Sequence, residues 1–157
     1  MGRRPLPASP PLLLLLLLSA CAVGAGVFIS NLDSVCVRCL CEAASNCNET
    51  VGCHKGYCGP FFISRNYWLD AGGRPLPGDD PDRSEAYQDC ATDYNCAVRT
   101  LEFYMEKHGQ DCNGDGVTDC DDYAFVHYNG GYDCGKSLKG TSFYSRYQRC
   151  RPAKFQD

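Results

Sequence analysis

The sequence predicts a single α+β domain that is mainly helical and rich in disulfides. Thirteen of its 157 residues are cysteine, a proportion typical of oxidised extracellular domains rather than reduced intracellular ones. Apolar residues recur at helical spacing in several segments, whereas only one short stretch is typical of a β-hairpin. About 130 residues follow the N-terminal leader, which is the usual size of one domain.

Residues 1–25 have the features of a secretory signal peptide. Arg3 and Arg4 give a positive start, Leu12–Leu18 form an apolar run, and small residues lead to cleavage after Ala22 or Ala25. The apolar run is too short to span a bilayer, and no later segment is long enough to do so. We therefore expect residues 26–157 to form a secreted, extracellular domain with no membrane partner.

The same leader contains an alternative cleavage signal. Leu18-Ser19-Ala20-Cys21 resembles the cleavage box of a bacterial lipoprotein. Because the rest of the chain has the cysteine density of an oxidised secreted domain, the eukaryotic secretory route is favoured over a lipid anchor.

Cleavage changes both the cysteine count and the charge. It removes Cys21, which leaves 12 cysteines and permits six disulfides with no free thiol. It also removes Arg3 and Arg4 from 15 basic residues, against 19 acidic ones, so the formal net charge falls from −4 to about −6. No basic patch is visible in the sequence, and we therefore expect no nucleic-acid partner.

Helices carry most of the pattern. The longest is predicted from Asp93 to Lys107, with Gly109 as its stop. Shorter helices are predicted at Cys36–Ala44, Ser84–Thr92, Cys120–Tyr128 and Ser142–Arg149. The apolar stretch Tyr57–Ser64 contains turn signals and predicts a small hairpin, and Ala71–Asp82, rich in Gly, Pro and Asp, predicts a long surface loop.

The cysteines fall into two groups by spacing. Three pairs are close in sequence and can each close a small loop, namely Cys41 with Cys47, Cys53 with Cys58, and Cys90 with Cys96. The other six must tie distant parts of the domain together: Cys36, Cys39, Cys112, Cys120, Cys134 and Cys150. The spacing of Cys36 and Cys39 also suits a zinc site, but oxidised secreted cysteines pair with one another instead.

Several short motifs accompany this cysteine spacing over nearly the whole mature chain. They include Cys36-Val37-Arg38-Cys39-Leu40-Cys41, Cys58-Gly59-Pro60-Phe61-Phe62-Ile63-Ser64, Tyr67-Trp68-Leu69-Asp70-Ala71-Gly72, Asp93-Tyr94-Asn95-Cys96-Ala97, and Asp122-Tyr123-Ala124 followed by His127, Gly130-Gly131 and Cys134. From Cys36 to Cys150 the pattern resembles the invertebrate-type, destabilase-like lysozymes. The resemblance implies a lysozyme-like fold with a saccharide cleft. It also implies the long-range disulfides Cys36–Cys120, Cys39–Cys150 and Cys112–Cys134.

The same resemblance implies a function. The chain is expected to act on, or bind, bacterial peptidoglycan at its β-1,4 linkages between N-acetylmuramic acid and N-acetylglucosamine. An antibacterial or digestive role follows, with no cofactor required.

The chemistry implied by the resemblance needs two carboxylates, one as acid and one as nucleophile, about 5–5.5 Å apart. In active members the acid corresponds to Ala44, and the second carboxylate lies in the loop that is here His54–Tyr57, which has no acidic residue. Glu42 is a weak substitute because a helix turns it about 200° away from Ala44. No catalytic residue is therefore assigned, and the alternative is a catalytically inactive carbohydrate-binding or immune-modulating protein.

Some destabilase-like relatives are also isopeptidases. The serine just before the cysteine matching Cys58 in those proteins corresponds to Tyr57 here. Ser64 and His127 are left, but nothing in the sequence brings them within hydrogen-bond reach, so a nucleophile–base pair is not supported.

Two further sets of residues are candidates for contact with ligand or glycan. Saccharide contacts are predicted for Tyr67, Trp68, Asp70, His127, Asn129 and Gly130. Tyr67 and Trp68 fit a sugar-stacking role and a core role equally well, Asp70 could instead cap the following turn, and His127 is equally open to a structural role. Asn48-Glu49-Thr50 is an N-glycosylation sequon.

Residues 111–122 match the template of a calcium-binding loop, with Asp in place of the usual Glu at the last position. The predicted ligands are the side chains of Asp111, Asn113, Asp115, Asp119 and Asp122 and the carbonyl oxygen of Val117. The alternative is that the disulfides of Cys112 and Cys120 fix the loop by themselves and leave the acids as solvated surface.

Overall fold

The computed structural model describes residues 2, 29 and 31–151. Apart from residue 2, the predicted signal peptide lies outside the described residues, as do its cleavage sites after Ala22 and Ala25 and the lipoprotein-like box. Within them the chain forms six helices and one small sheet: α1 Ser34–Ser45, β1 Cys53–His54, β2 Tyr57–Cys58, β3 Ile63–Ser64, α2 Arg65–Asp70, α3 Ala86–Thr92, α4 Tyr94–His108, α5 Cys120–Asn129 and α6 Ser142–Cys150. The prediction of a mainly helical α+β fold is confirmed.

Local capping determines where the helices begin and end. Helix α1 starts because the carboxylate of Asp33 accepts a hydrogen bond from the backbone N–H of Cys36 at 2.8 Å. It ends at Asn46, which adopts the left-handed conformation with φ 58°. Helix α5 begins with a capping box. The Asp119 side chain accepts from the backbone of the first turn, and the Asp122 side chain accepts from the backbone N–H of Asp119. The predicted bounds differ from these by one or two residues, the usual ambiguity at helix ends.

The sheet is antiparallel, with strand order β1-β2-β3. The predicted hairpin corresponds to β2 and β3, where Cys58 pairs with Ile63. The turn between them requires Gly59, which has φ +70° and faces helix α3 so closely that a Cβ would lie 1.6 Å from the carbonyl oxygen of Ala91. The Tyr87 hydroxyl donates to the Ile63 carbonyl at 2.7 Å and anchors the sheet to α3.

Helix α2 was not predicted. It is only six residues long, too short for a helical period to be visible in the sequence. The Ser64 hydroxyl accepts from the N–H of Tyr67 at 3.2 Å and caps it. This helix turns Tyr67 and Trp68 inwards, where both are buried.

The core lies around α4, whose inward face is buried as its spacing predicted. Its largest fully buried aliphatic members are Leu40, Ile63, Leu101, Met105, Leu138 and Val126. Burial of one such side chain contributes about 1.5–3 kcal/mol. Of the helices in the described part of the chain, none is long and apolar enough to cross a membrane.

All six predicted disulfides are present. The near pairs Cys41–Cys47, Cys53–Cys58 and Cys90–Cys96 close small loops, and the long-range pairs are Cys36–Cys120, Cys39–Cys150 and Cys112–Cys134. Two of the long-range bonds attach α1 to α5 and to the end of α6. Because cysteines paired in this way cannot ligate zinc as thiolates, the zinc interpretation of Cys36 and Cys39 is excluded.

Candidate functional site

A cleft of about 430 Å³ opens where the sheet meets α1, α5 and α6. Its lining residues come from five different segments of the chain: Ala44, Tyr57, Phe61, Phe62, His127, Tyr128, Ser142, Phe143 and Arg146. The volume is within the usual range for a small-molecule site. None of these described lining residues carries a carboxylate.

The walls of the cleft are aromatic. Three of the rings are partly open to solvent, with exposed fractions of 52% for Tyr57, 39% for Phe62 and 49% for Tyr128. Phe62 has φ 50°, an unusual conformation for a bulky residue that the tight turn after Gly59 imposes. These three rings form the exposed apolar part of the cleft lining.

His127 forms the floor of the cleft and is fully hydrogen-bonded. Its Nε2 lies 2.9 Å from the carbonyl oxygen of Phe61 and its Nδ1 lies 3.3 Å from the hydroxyl of Tyr67. Because a carbonyl can only accept, Nε2 carries the proton and Nδ1 accepts from Tyr67. Burial lowers the pKa of His127 to about 4, only partly opposed by the bond to Phe61. The imidazole is therefore neutral at physiological pH.

Two other predicted saccharide contacts lie in the core. Tyr67 stacks on Tyr104, with ring centroids 3.6 Å apart, and burial raises its pKa so that the phenol stays protonated. Trp68 is 2% exposed and its indole N–H donates to the carbonyl of Arg74 at 2.9 Å. Trp68 cannot stack on a sugar without opening the core, and Tyr67 reaches the cleft only through its bond to His127.

The remaining predicted contacts serve the scaffold around the cleft. Asp70 pairs with Lys107, the carboxylate oxygen lying 3.5 Å from the amine, on the surface. Asn129 donates to the carbonyls of Cys134 and Lys136 and so holds the loop after α5. Gly130, with φ 87°, ends that helix. Of the six residues predicted to contact saccharide, the structure brings only His127 into the cleft lining.

Ala44 lies on the cleft, and a cation lies beside it. The guanidinium of Arg146 donates through Nε to the carbonyl of Ala43 at 2.7 Å and through Nη2 to the carbonyl of Ala44 at 2.9 Å. These are among the last carbonyls of α1, which have no partner within the helix. Glu42 does not line the cleft but lines the neighbouring groove between α1 and α6, where its Oε1 lies 4.0 Å from Nε of Arg38.

The sequence model of the Destabilase family matches residues 33–150, which contain all of these elements. The chain belongs to the Destabilase family. It is 33% identical to a lysozyme of Magallana gigas and 32% identical to a lysozyme of Ostrea edulis, in each case over 110 residues. Those alignments cover 67% of this chain and 71% and 72% of the two relatives.

Solved structures show the same fold. The lysozyme of Tapes japonica superposes with a TM-score of 0.58 at 26% identity, covering 78% of this chain and 95% of that one. The lysozyme of Meretrix lusoria, in a complex with the protein PliI of Aeromonas hydrophila, gives a TM-score of 0.59 at 26% identity, covering 79% and 98%. The lysozyme-like fold that the resemblance implied is confirmed. Lysozymes of this family generally need no cofactor.

At Ala44, the position that the resemblance indicated for the acid, the chain has no carboxylate. The cleft holds the methyl group of Ala44, and the loop between Cys53 and Cys58 offers only exposed residues without a carboxylate. Ser64, the remaining candidate for an isopeptidase nucleophile, caps α2, and both nitrogens of His127 are already bonded. No contact between Ser64 and His127 occurs among the described residues.

The acidic loop at 111–122 forms a compact turn before α5. Carboxylate oxygens of Asp111, Asp115 and Asp122 lie within 4.8 Å of one another. Asp111 accepts from the N–H groups of Gly114 and Gly116 at 2.7 and 2.9 Å. Asp122 is buried and accepts from the backbone at residues 112, 113 and 119. The loop therefore gathers oxygen ligands, although each of these acids also holds the backbone.

Sequence reasoning missed Arg146 and most of the aromatic lining. Arg146 lies more than one hundred residues from the carbonyls it binds. Phe62 and Tyr128 could have been suspected, since a bulky residue in a turn and a second aromatic next to His127 are unusual on a surface. No local signal could have identified Arg146.

Proposed function

We propose that this Destabilase-family protein acts outside the cell as a peptidoglycan-directed saccharide-binding protein whose hydrolytic activity is weak or absent. The observation that carries the proposal is a formed, aromatic cleft that has Ala44 at the position expected for the acid and Arg146 beside it. The lysozyme relatives support peptidoglycan, with its N-acetylmuramic acid and N-acetylglucosamine units, as the ligand. An antibacterial, digestive or immune-modulating role is consistent with it.

The chemistry of the cleft favours binding over hydrolysis. Glycosidic cleavage requires a proton donor at the leaving oxygen and a second carboxylate close by. Neutral His127 has its only ring proton committed to Phe61, and Arg146 donates to the carbonyls of Ala43 and Ala44. The residues of the cleft can stack on a sugar ring and donate hydrogen bonds to it, but they cannot supply the acid.

Binding is tested by pull-down of the purified, oxidised mature chain on insoluble peptidoglycan and on chitin. Tyr57→Ala and Tyr128→Ala are each expected to weaken binding about threefold to tenfold, the value of one aromatic contact. Tyr132→Ala is the matched control, because Tyr132 is 82% exposed but does not line the cleft. Binding that is absent in the parent chain, or equal in all three variants, would contradict the proposal.

We further propose that the chain is secreted and carries a glycan at Asn48. Support comes from six disulfides and from the exposure of Asn48, whose side-chain oxygen accepts from Thr50 at 2.8 Å in an open turn. Treatment of the protein from a eukaryotic secretory host with peptide N-glycosidase should reduce its mass. The Asn48→Gln variant should show no change under the same treatment.

We also propose calcium as a ligand of the loop at 111–122. Its support is the match to the template, the approach of Asp111, Asp115 and Asp122, and the position of Gly116 where the template needs a sharp turn, with φ 88°. Oxygen ligands of this charge suit a hard cation. Such an ion would stabilise the loop and would take no part in chemistry at the cleft.

A further inference from the structure

An open groove of about 760 Å³ runs between α1 and α6, next to the cleft. Its lining residues are Ser34, Val35, Arg38, Cys39, Glu42, Asn46, Tyr94, Arg146, Arg149 and Cys150. Neither the predicted saccharide contacts nor the predicted metal ligands lie in it. The groove is therefore a second surface that the proposed function does not yet use.

The groove concentrates positive charge in an acidic protein. Arg38, Arg146 and Arg149 face a single carboxylate, Glu42, although the whole chain has a formal net charge of −4. The pair of Arg38 with Glu42 is long, at 4.0 Å, and the arginine side chain is 75% exposed, so it neutralises little. Neither Arg146 nor Arg149 has an ion-pair partner within the described part of the chain.

Arg146 is held in place before any ligand arrives. Its Nε and Nη2 are bonded to Ala43 and Ala44, which leaves Nη1 without a hydrogen bond to any described residue. The disulfide Cys39–Cys150 joins the two helices within the groove wall. A guanidinium fixed in this way loses little freedom on binding an anion, and its Nη1 can donate to an oxygen of a carboxylate or a sulfate group.

The groove adjoins the aromatic cleft at Arg146, which lines both. We propose that the groove binds the anionic substituents of an acidic glycan whose neighbouring sugar rings occupy the cleft. The proposal rests on saccharide binding at the cleft and adds the class of glycan, one that carries carboxylate or sulfate groups. A nucleic-acid ligand is disfavoured because such surfaces belong to strongly basic domains.

The test is titration calorimetry on the oxidised mature protein with three probes. Peptidoglycan strands freed of stem peptides carry lactyl carboxylates, heparin carries sulfates, and chitopentaose is neutral. The variants are Arg149→Gln and Arg38→Gln. The matched control is Arg99→Gln, since Arg99 is exposed on α4 and lines neither groove nor cleft.

For each acidic probe that binds, Arg149→Gln is expected to weaken binding about threefold. The double variant that also carries Arg38→Gln is expected to weaken it about tenfold. Raising NaCl from about 50 mM to about 500 mM should also weaken binding of the acidic probes, because the screening length falls below the span of the groove. Chitopentaose should respond to neither change, and Arg99→Gln should match the parent. If the arginine variants lose binding only to peptidoglycan strands, the anionic group is a carboxylate. If they lose binding only to heparin, it is a sulfate.

Two results would overturn the inference while leaving the proposed function intact. In the first, Arg149→Gln, Arg99→Gln and the parent bind both acidic probes equally well and still bind chitopentaose. The other is a single-stranded oligonucleotide that binds more tightly than either acidic glycan. Failure of chitopentaose and insoluble peptidoglycan to bind at all would instead remove the proposed function.

Discussion

Arg146 donates a hydrogen bond of 2.9 Å to the carbonyl of Ala44, so that a cation closes the end of α1 beside the position that the resemblance indicated for the acid. The same guanidinium binds the carbonyl of Ala43 at 2.7 Å. One side chain thus completes the helix end, lines the cleft and lines the groove beside it. The alanine at that position and the arginine beside it are parts of one local arrangement.

This arrangement predicts a stability cost when Arg146 is shortened. In Arg146→Gln the two carbonyls lose charged donors, and we expect the free energy of unfolding to fall by about 1–3 kcal/mol. Arg149→Gln should change it by less than about 0.5 kcal/mol, since Arg149 is exposed. The midpoints of urea unfolding measure both changes in free energy, provided that the dependence on urea concentration is the same in the parent and the variants. Equal midpoints for the two variants would mean that the bonds to Ala43 and Ala44 contribute nothing.

A second prediction concerns catalysis. Without carboxylates at Ala44 or between Cys53 and Cys58, cell-wall clearing should be at least about 10³-fold below that of an active lysozyme of the family. Glu42→Gln should not change the residual rate, because Glu42 lies in the groove and not in the cleft. Clearing assays on bacterial walls decide this. Robust clearing that Glu42→Gln abolishes would make Glu42 the acid and end the binding-only interpretation.

Covalent structure gives the third prediction. All 12 cysteines of the expected mature chain are paired, so thiol titration of unfolded, unreduced protein should read zero. Peptide mapping should recover the short loops Cys41–Cys47, Cys53–Cys58 and Cys90–Cys96. The same protein after reduction is the control and should titrate fully. Free thiol before reduction, or exchanged partners among the short loops, would refute this framework.

The sequence was most informative where the pattern is local or is fixed by covalent chemistry. Helical spacing identified α4, and the cysteine pairs close in sequence identified the short loops. Burial was harder to predict, because the residues next to Trp68 in the sequence do not distinguish a side chain that contacts a sugar from one that packs in the core. Its place was decided by helix α2, which is too short to leave a periodic signal.

Long-range contacts set the electrostatics of the site, and no sequence window contains them. Arg38 and Arg149 are 111 positions apart but share a groove, since the disulfide Cys39–Cys150 joins their helices across the same sequence separation. A sequence in which no basic patch is visible can therefore fold into a surface that has one. The family resemblance indicated which residues were missing from the cleft, but not that Arg146 lay beside them.

His127 should make stability depend on pH. Its pKa is lowered to about 4 by burial, so between about pH 4 and the ordinary value of 6.5 the unfolded chain binds a proton that the folded one does not. The free energy of unfolding should therefore fall as the pH drops through that window, by about 1–3 kcal/mol from this residue. Below about pH 4 the loss should level off.

His127→Gln isolates this effect. A glutamine amide can donate to Phe61 and accept from Tyr67 as the imidazole does, but it does not titrate. The difference in unfolding free energy between parent and variant, measured in urea from pH 7 to pH 4, should change steadily in favour of the variant as the pH falls. A difference that stays constant over this range would show that His127 has an ordinary pKa.

The last prediction is calcium binding at residues 111–122. The shorter Asp122 reaches less far than the usual Glu and already accepts three backbone hydrogen bonds. Calcium affinity should therefore be weak, with a dissociation constant of about 10⁻⁴–10⁻³ M, as in extracellular calcium modules. At about 10 mM calcium, mass action then stabilises the folded chain by about 1.4–2.7 kcal/mol. The melting midpoint should rise relative to a chelator-treated sample, and Asp111→Ala should remove the rise. Asp82→Ala, at an exposed acid outside the loop, should keep it. Identical melting curves of the parent chain in calcium and in chelator would mean that Cys112–Cys134 and Cys36–Cys120 hold the turn without an ion, and that its acids serve only to accept the N–H groups of the loop.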